Sequence, residues 1–178
     1  MIRFIETLWD LLKSPQMAKK QRATMPKSVQ RQAGKRRPRS DRYDAIVKEE
    51  LDRYGIRVRR WRKAMTGIAW YVEYKDGTVN RLIEAPRPKS EMSLVIFLHE
   101  IGHHAIGFHT YKPRCLEEYH AWQYAFRAMA RYGIQPTAAV MKRYEASMRY
   151  AVAKASRRGI KSIPAELIPF IQDSRRIA

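Results

Sequence analysis

The sequence predicts an α+β domain: a small antiparallel sheet packed on one apolar helix, with further helices following. Three observations point there. Residues 56–83 hold short β-branched and aromatic runs around an Asp-Gly turn signal, whereas residues 90–158 carry helical periodicity punctuated by glycine and proline. In a chain of 178 residues, 45% apolar content supports one core and excludes wholesale disorder.

From the N-terminus, Ile2, Ile5, Leu8, Trp9 and Leu12 recur at helical spacing, so residues 1–12 read as a short amphipathic helix. Its polar face has few cations, which argues against an anionic-lipid anchor. Residues 13–40 hold ten basic residues and no acidic one, with prolines and almost no apolar periodicity. They read as a flexible basic arm, densest at Lys35, Arg36, Arg37 and Arg39. Such an arm neutralises phosphates on DNA or RNA, or docks on an acidic protein. It lacks aromatic residues, so base stacking is not expected of it.

Asp41 to Tyr54 carries the stripe Ile46, Val47, Leu51, Tyr54 and stops at Gly55, as a helix does. Ile56–Trp61 alternates like a half-buried strand, and Ile68–Tyr74 is aromatic and β-branched. Asp76-Gly77 turns the chain into Val79–Ile83. After Pro86 and Pro88, Ser90 is an N-cap for a helix running through Leu94–Leu98 to about Gly107. Arg114–Tyr132 is the next helix, closed by Gly133. Pro136 to about Arg158 is another, and Ile163–Ile171 forms a short final helix. The organisation expected is 1–12 helix, 13–40 arm, 41–160 main domain and 161–178 tail.

The chemistry sits at His99-Glu100-Ile101-Gly102-His103. Histidines at i and i+4 share one helical face and reach a single metal ion, and the glutamate beside the first can take a proton from water. Gly102 lowers helix propensity, which points to close approach by a neighbouring helix. On the Arg114–Tyr132 helix the apolar positions Ala121, Trp122, Tyr124, Ala125, Ala128 and Met129 centre near the direction of Glu118. A carboxylate there needs a cation, which makes Glu118 the expected third ligand. Glu117, at the edge of that face, is the reserve. His109, six residues after His103, is the rival, but the glycine expected three residues after His103 is Ile106 here. His104 faces away and His120 points to solvent. Tyr111, Tyr119 and His109 are candidate oxyanion donors.

The motif His99-Glu100-x-x-His103, followed by Glu117-Glu118 and Ala121-Trp122-Gln123-Tyr124-Ala125, resembles the ImmA/IrrE-type zincin metallopeptidases over residues 41–132. The order helix, strands, motif helix, glutamate helix is similar as well. The resemblance implies a zincin-like fold, bound Zn2+ and peptide hydrolysis, often on DNA-bound regulators. His120 stands where that family often has glutamate, and no fused helix-turn-helix is evident. A SprT-like protease is a second zincin possibility, but the later histidine it calls for is missing. Outside the peptidases, the alternative is a nucleic-acid- or partner-binding protein with a structural zinc, for which Glu100 has no use.

The remaining expectations concern context. No apolar run reaches the ~20 residues a transmembrane helix needs. Residues 1–12 lack a secretory pattern, and Cys115 is alone, which excludes an intramolecular disulfide and a cysteine-based zinc site. A reducing cytoplasm is the compartment expected, and a protein or peptide the expected substrate. The +19 charge is uneven: residues 84–126, with the motif, sum to −1.

Overall fold

The computed structural model describes residues 39–171. The expected N-terminal helix and most of the basic arm, including Lys35, Arg36 and Arg37, lie outside those residues, as does the side chain of Arg39. The described residues form a mixed α+β unit with a three-stranded sheet and several helices.

Helix α1 (Arg39–Tyr54) buries Tyr43, Ile46 and Glu50 and ends at Gly55, whose φ of 61° is the left-handed conformation that glycine adopts without a Cβ penalty. Strands β1 (Ile56–Arg62), β2 (Ile68–Glu73) and β3 (Val79–Pro86) follow. The Asp76-Gly77 turn forms as expected. Asp76 Oδ1 accepts from the Thr78 backbone N–H and hydroxyl, and Gly77 takes φ 81°. Register runs from Ile68↔Glu84 to Glu73↔Val79 in this antiparallel pair.

One expectation fails. The sheet is not wholly antiparallel: its order is β1-β3-β2, and β1 runs parallel to β3, with Ile56 opposite Arg81 and Val58 opposite Ile83. The reason lies in burial. β3 ends in the buried run Ile83-Glu84-Ala85-Pro86, whereas β1 and β2 are largely exposed or half-buried. The strand with the most to bury takes the centre, and β1 pairs with it from the far side.

Helix α2 (Glu91–Ile106) starts with a reciprocal cap: Ser90 Oγ accepts from the Ser93 N–H, and the Ser90 N–H donates to Ser93 Oγ at 2.9 Å. Every residue from Ser93 to His104 is buried. A helix that is apolar nearly all round belongs in the centre, and α2 lies between the sheet and helix α3 (Arg114–Arg131). The two helices meet closely at Gly102. A Cβ there would come within 2.7 Å of the Ala121 carbonyl oxygen, so only glycine fits.

Helix α4 (Ala138–Arg157) starts two residues after Pro136, with Thr137 as its N-cap. It buries Val140, Tyr144, Met148 and Val152. The short final helix is a 3-10 segment, Ala165–Phe170, whose Leu167 and Phe170 are buried in the same core. Tyr144 packs against Trp122, Phe126 and Phe170, so the packed unit extends past residue 160. Among the described residues, no helix is long and apolar enough to cross a membrane.

Candidate metal centre

Histidines 99 and 103 sit one turn apart on the central helix, and both are buried. Their rings make an edge contact at 4.8 Å, and Trp122 packs against His99 at 4.7 Å between centroids. These neighbours hold the imidazoles with their Nε2 atoms toward helix α3. On that side stands Glu118 of α3. Its Oε2 lies 3.3 Å from His99 Nε2 and 3.6 Å from His103 Nε2.

His99, His103 and Glu118 thus form a group whose ligand atoms all lie within 4.8 Å of one another. Two ligands about 2.1 Å from a tetrahedral ion are separated by about 3.4 Å, so both carboxylate distances suit one small cation. Charge suits it as well. Glu100, Glu117 and Glu118 crowd the two imidazoles, and the nearest guanidinium is that of Arg114, 3.1 Å from Glu118 and 3.5 Å from Glu117. Such a set of imidazole nitrogens and carboxylate oxygens is compatible with a divalent cation.

The titration behaviour reflects this crowding. Burial lowers His99. Burial also acts to lower His103, but the Glu117 and Glu118 carboxylates outweigh it and raise the ring to about 9. Burial acts to raise Glu118, and the two histidines overcome it, holding that carboxyl well below its usual range. Glu100 has no partner of comparable strength, and burial pushes it up to about 8 despite His103.

Glu117, the reserve for the third ligand, stands elsewhere. It is not a member of the group. Its Oε1 lies 3.4 Å from His103 Nδ1, on the opposite side of the ring from Glu118, and its Oε2 accepts the His109 backbone N–H at 3.0 Å. A carboxylate behind a ligand histidine fixes the ring's orientation and raises its basicity. His103 Nδ1, His99 Nδ1 and Glu117 Oε1 are buried without a formed hydrogen bond. His109 is also outside the group. It is exposed, with φ 62°, and its backbone N–H is what Glu117 engages. His104 faces away as expected, but into the sheet, with Nε2 3.2 Å from the Leu82 carbonyl. His120 is half-buried rather than solvent-facing, stacked on Tyr111 at 3.7 Å.

His99 and Glu118 of the group line a cleft of about 1010 Å³. Glu100 lines it, beneath the β1–β2 connection: a Cβ added at Gly67 would overlap the Glu100 carboxylate. None of Tyr111, Tyr119 and His109 lines this cleft. Two contributors escaped the sequence reading, the Met65–Gly67 segment and the face of α4 bearing Arg143, Tyr150 and Lys154. The α4 face carried a signal in the helical spacing of those three residues, whereas the loop carried none beyond Gly67.

Fold and site together define a mixed α+β protein with a His-His-Glu group at metal-ligand spacing. Comparison with family models, curated proteins and solved structures finds no match for the chain.

Proposed function

We propose that the chain is a zinc-dependent endopeptidase of the zincin type, akin to the ImmA/IrrE group. The observation that carries this reading is the position of Glu100. This buried carboxylate lies beside a two-histidine, one-glutamate group and on the same cleft, and among the described residues it has no hydrogen-bond or ion-pair partner. His99, His103 and Glu118 would hold the ion. When bound, zinc supplies Lewis acidity toward a scissile carbonyl and lowers the pKa of water.

The protein's own groups do the rest. Glu100 takes the proton from the attacking water and passes it to the leaving amine. Burial raises its carboxyl pKa, and a divalent cation held by His99, His103 and Glu118 would offset that rise by favouring the ionised form, the one that accepts a proton. Glu117 keeps His103 turned toward the ligand position. Gly67 leaves room for the Glu100 carboxylate. Strand β2 is a sheet edge that starts beside Gly67, and its Tyr71 packs on Phe108, which in turn packs on His103. An extended peptide adding to that edge would lie along the site. The basic segment 13–40 would give the enzyme salt-sensitive attachment to nucleic acid.

Metal analysis of the purified chain tests the proposal, with about one zinc per chain expected. Chelation should abolish peptide hydrolysis, and readdition of zinc should restore it. A protein that binds no zinc on loading, or whose hydrolysis survives chelation, would refute the reading. Deleting residues 13–40 should flatten the salt dependence of DNA or RNA binding, and an unchanged slope would reject the role of the arm.

A further inference from the structure

The cleft is far larger than an ion and its three ligands require, and the charge of its lining is one-sided. Along α4, Arg143, Ser147, Tyr150 and Lys154 line it, followed by Arg158 just past the helix end. Their spacing of three or four residues places them in one row. From Arg143 to Lys154 the row spans about 16 Å, enough for about five residues of extended chain. Small side chains, Ala146, Ala151 and Ala155, lie between the cations and leave room for a backbone.

The cations of the lining are Arg114, Arg143, Lys154 and Arg158, and its carboxylates are Glu100 and Glu118, both at the metal end. Arg114 is engaged with Glu118 at 3.1 Å, and Arg143 donates to the Met65 carbonyl at 3.2 Å. Lys154 lies 5.9 Å from the centre of the exposed Tyr150 ring. Among the described residues, neither Lys154 nor Arg158 has an ion-pair partner. Cations near a helix C-terminus also offset its dipole. That role needs no particular facing, however, and Arg157, which does not line the cleft, already meets it.

We infer that the α4 side of this cleft is a subsite for acidic side chains. The ligand is a peptide segment with aspartate or glutamate within about five residues of the bond presented to Glu100. Lys154 and Arg158 pair with its carboxylates, and Tyr150 lies against the chain between them and the metal end. The inference deepens the peptidase reading and rests on it for cleavage, though not for binding. A peptide fits better than a nucleic acid because the row offers separated point charges among alanines. Tyr150 is the one exposed ring in it, where a run of stacking surfaces would serve bases.

The test uses zinc-loaded, full-length Glu100→Gln protein and fluorescence anisotropy. Labelled peptides of about eight residues, built of alanine and serine, carry either two glutamates or two glutamines. With two part-exposed ion pairs at stake, the glutamate peptide should bind about tenfold tighter at low salt. Adding Lys154→Gln and Arg158→Gln should bring the two peptides to within about twofold. Both side chains are exposed, so the melting temperature should hold. Equal binding of the two peptides overturns the inference. A glutamate preference that survives the two substitutions also overturns it, since the arm is present throughout and would be its source. So does a short oligothymidylate that binds tighter than the glutamate peptide through the same two side chains. A glutamate preference that depends on Lys154 and Arg158 sustains the subsite whatever the zinc-loading and chelation tests return, and those tests alone decide the peptidase reading.

Discussion

Glu50 and Glu117 are 0% and 1% exposed, yet their surroundings differ in kind. Glu50, on α1, accepts hydrogen bonds from Tyr124 and Tyr132 hydroxyls and from the Arg131 guanidinium, each at 2.5 Å. Both of its oxygens are satisfied by neutral or cationic donors, and the cluster ties α1 to α3. Glu117 shares its site with Glu100 and Glu118 around two imidazoles, and its Oε1 has no formed hydrogen bond. The first arrangement is complete within the protein. The second gathers carboxylates around two imidazoles whose Nε2 atoms stand at metal-ligand spacing from Glu118, an arrangement that a fold tolerates when a ligand completes it. Buried carboxylates are thus fully hydrogen-bonded on one side of α3's surroundings and gathered at metal-ligand spacing on the other.

That contrast is open to direct attack. The largest expected effect is on catalysis: Glu100→Gln should lower peptide hydrolysis by about 10²- to 10⁴-fold while zinc content, read by metal analysis, stays unchanged. An active Glu100→Gln enzyme would remove the functional half of the contrast. Next, Glu50→Ala should cost about 3 kcal/mol in denaturant unfolding, because it strands the guanidinium and two hydroxyls, and it should leave zinc affinity intact. Glu117→Gln should weaken zinc binding by about 10- to 100-fold in a competitive chelator titration, with little change in unfolding of the metal-free chain. Were Glu117→Gln to cost as much stability as Glu50→Ala, the two sites would be alike.

The smallest effect concerns alkaline pH. Burial, then the Glu50 carboxylate, raises the Tyr124 and Tyr132 hydroxyls above their ordinary value. A group whose pKa is higher in the folded state contributes stability that is fully present below its unfolded pKa. Stability should therefore be level up to about pH 10 and decline above it, as the unfolded tyrosines ionise first. Tyr124→Phe should make the decline shallower in unfolding curves collected across that range.

Much of the site was legible because its signals are local. Two histidines four apart, the glutamate between them and the Ser90 cap all lie within one helix, where 3.6-residue geometry decides who faces whom. The same geometry pointed to Glu118 from the apolar face of α3, and to close helix contact at Gly102. The distinction between Glu117 and Glu118 was harder. Adjacent residues differ by about 100° around a helix, so each could have reached the histidines until the crossing of α2 and α3 was known. The direction of β1 was not legible at all, since alternation along a strand says which face is buried and nothing about its partner.

The sequence by itself determined the residue types that could bind a cation, the helix that carries them and the caps that bound it, because each depends on contacts within a few residues. Tertiary structure decided the rest. It placed β3 in the middle of the sheet, put Glu117 behind His103 and Glu118 before it, and laid α4 along the cleft beyond Glu100. Those outcomes depend on how buried surfaces far apart in the chain compete for the same core, and no local pattern encodes that competition.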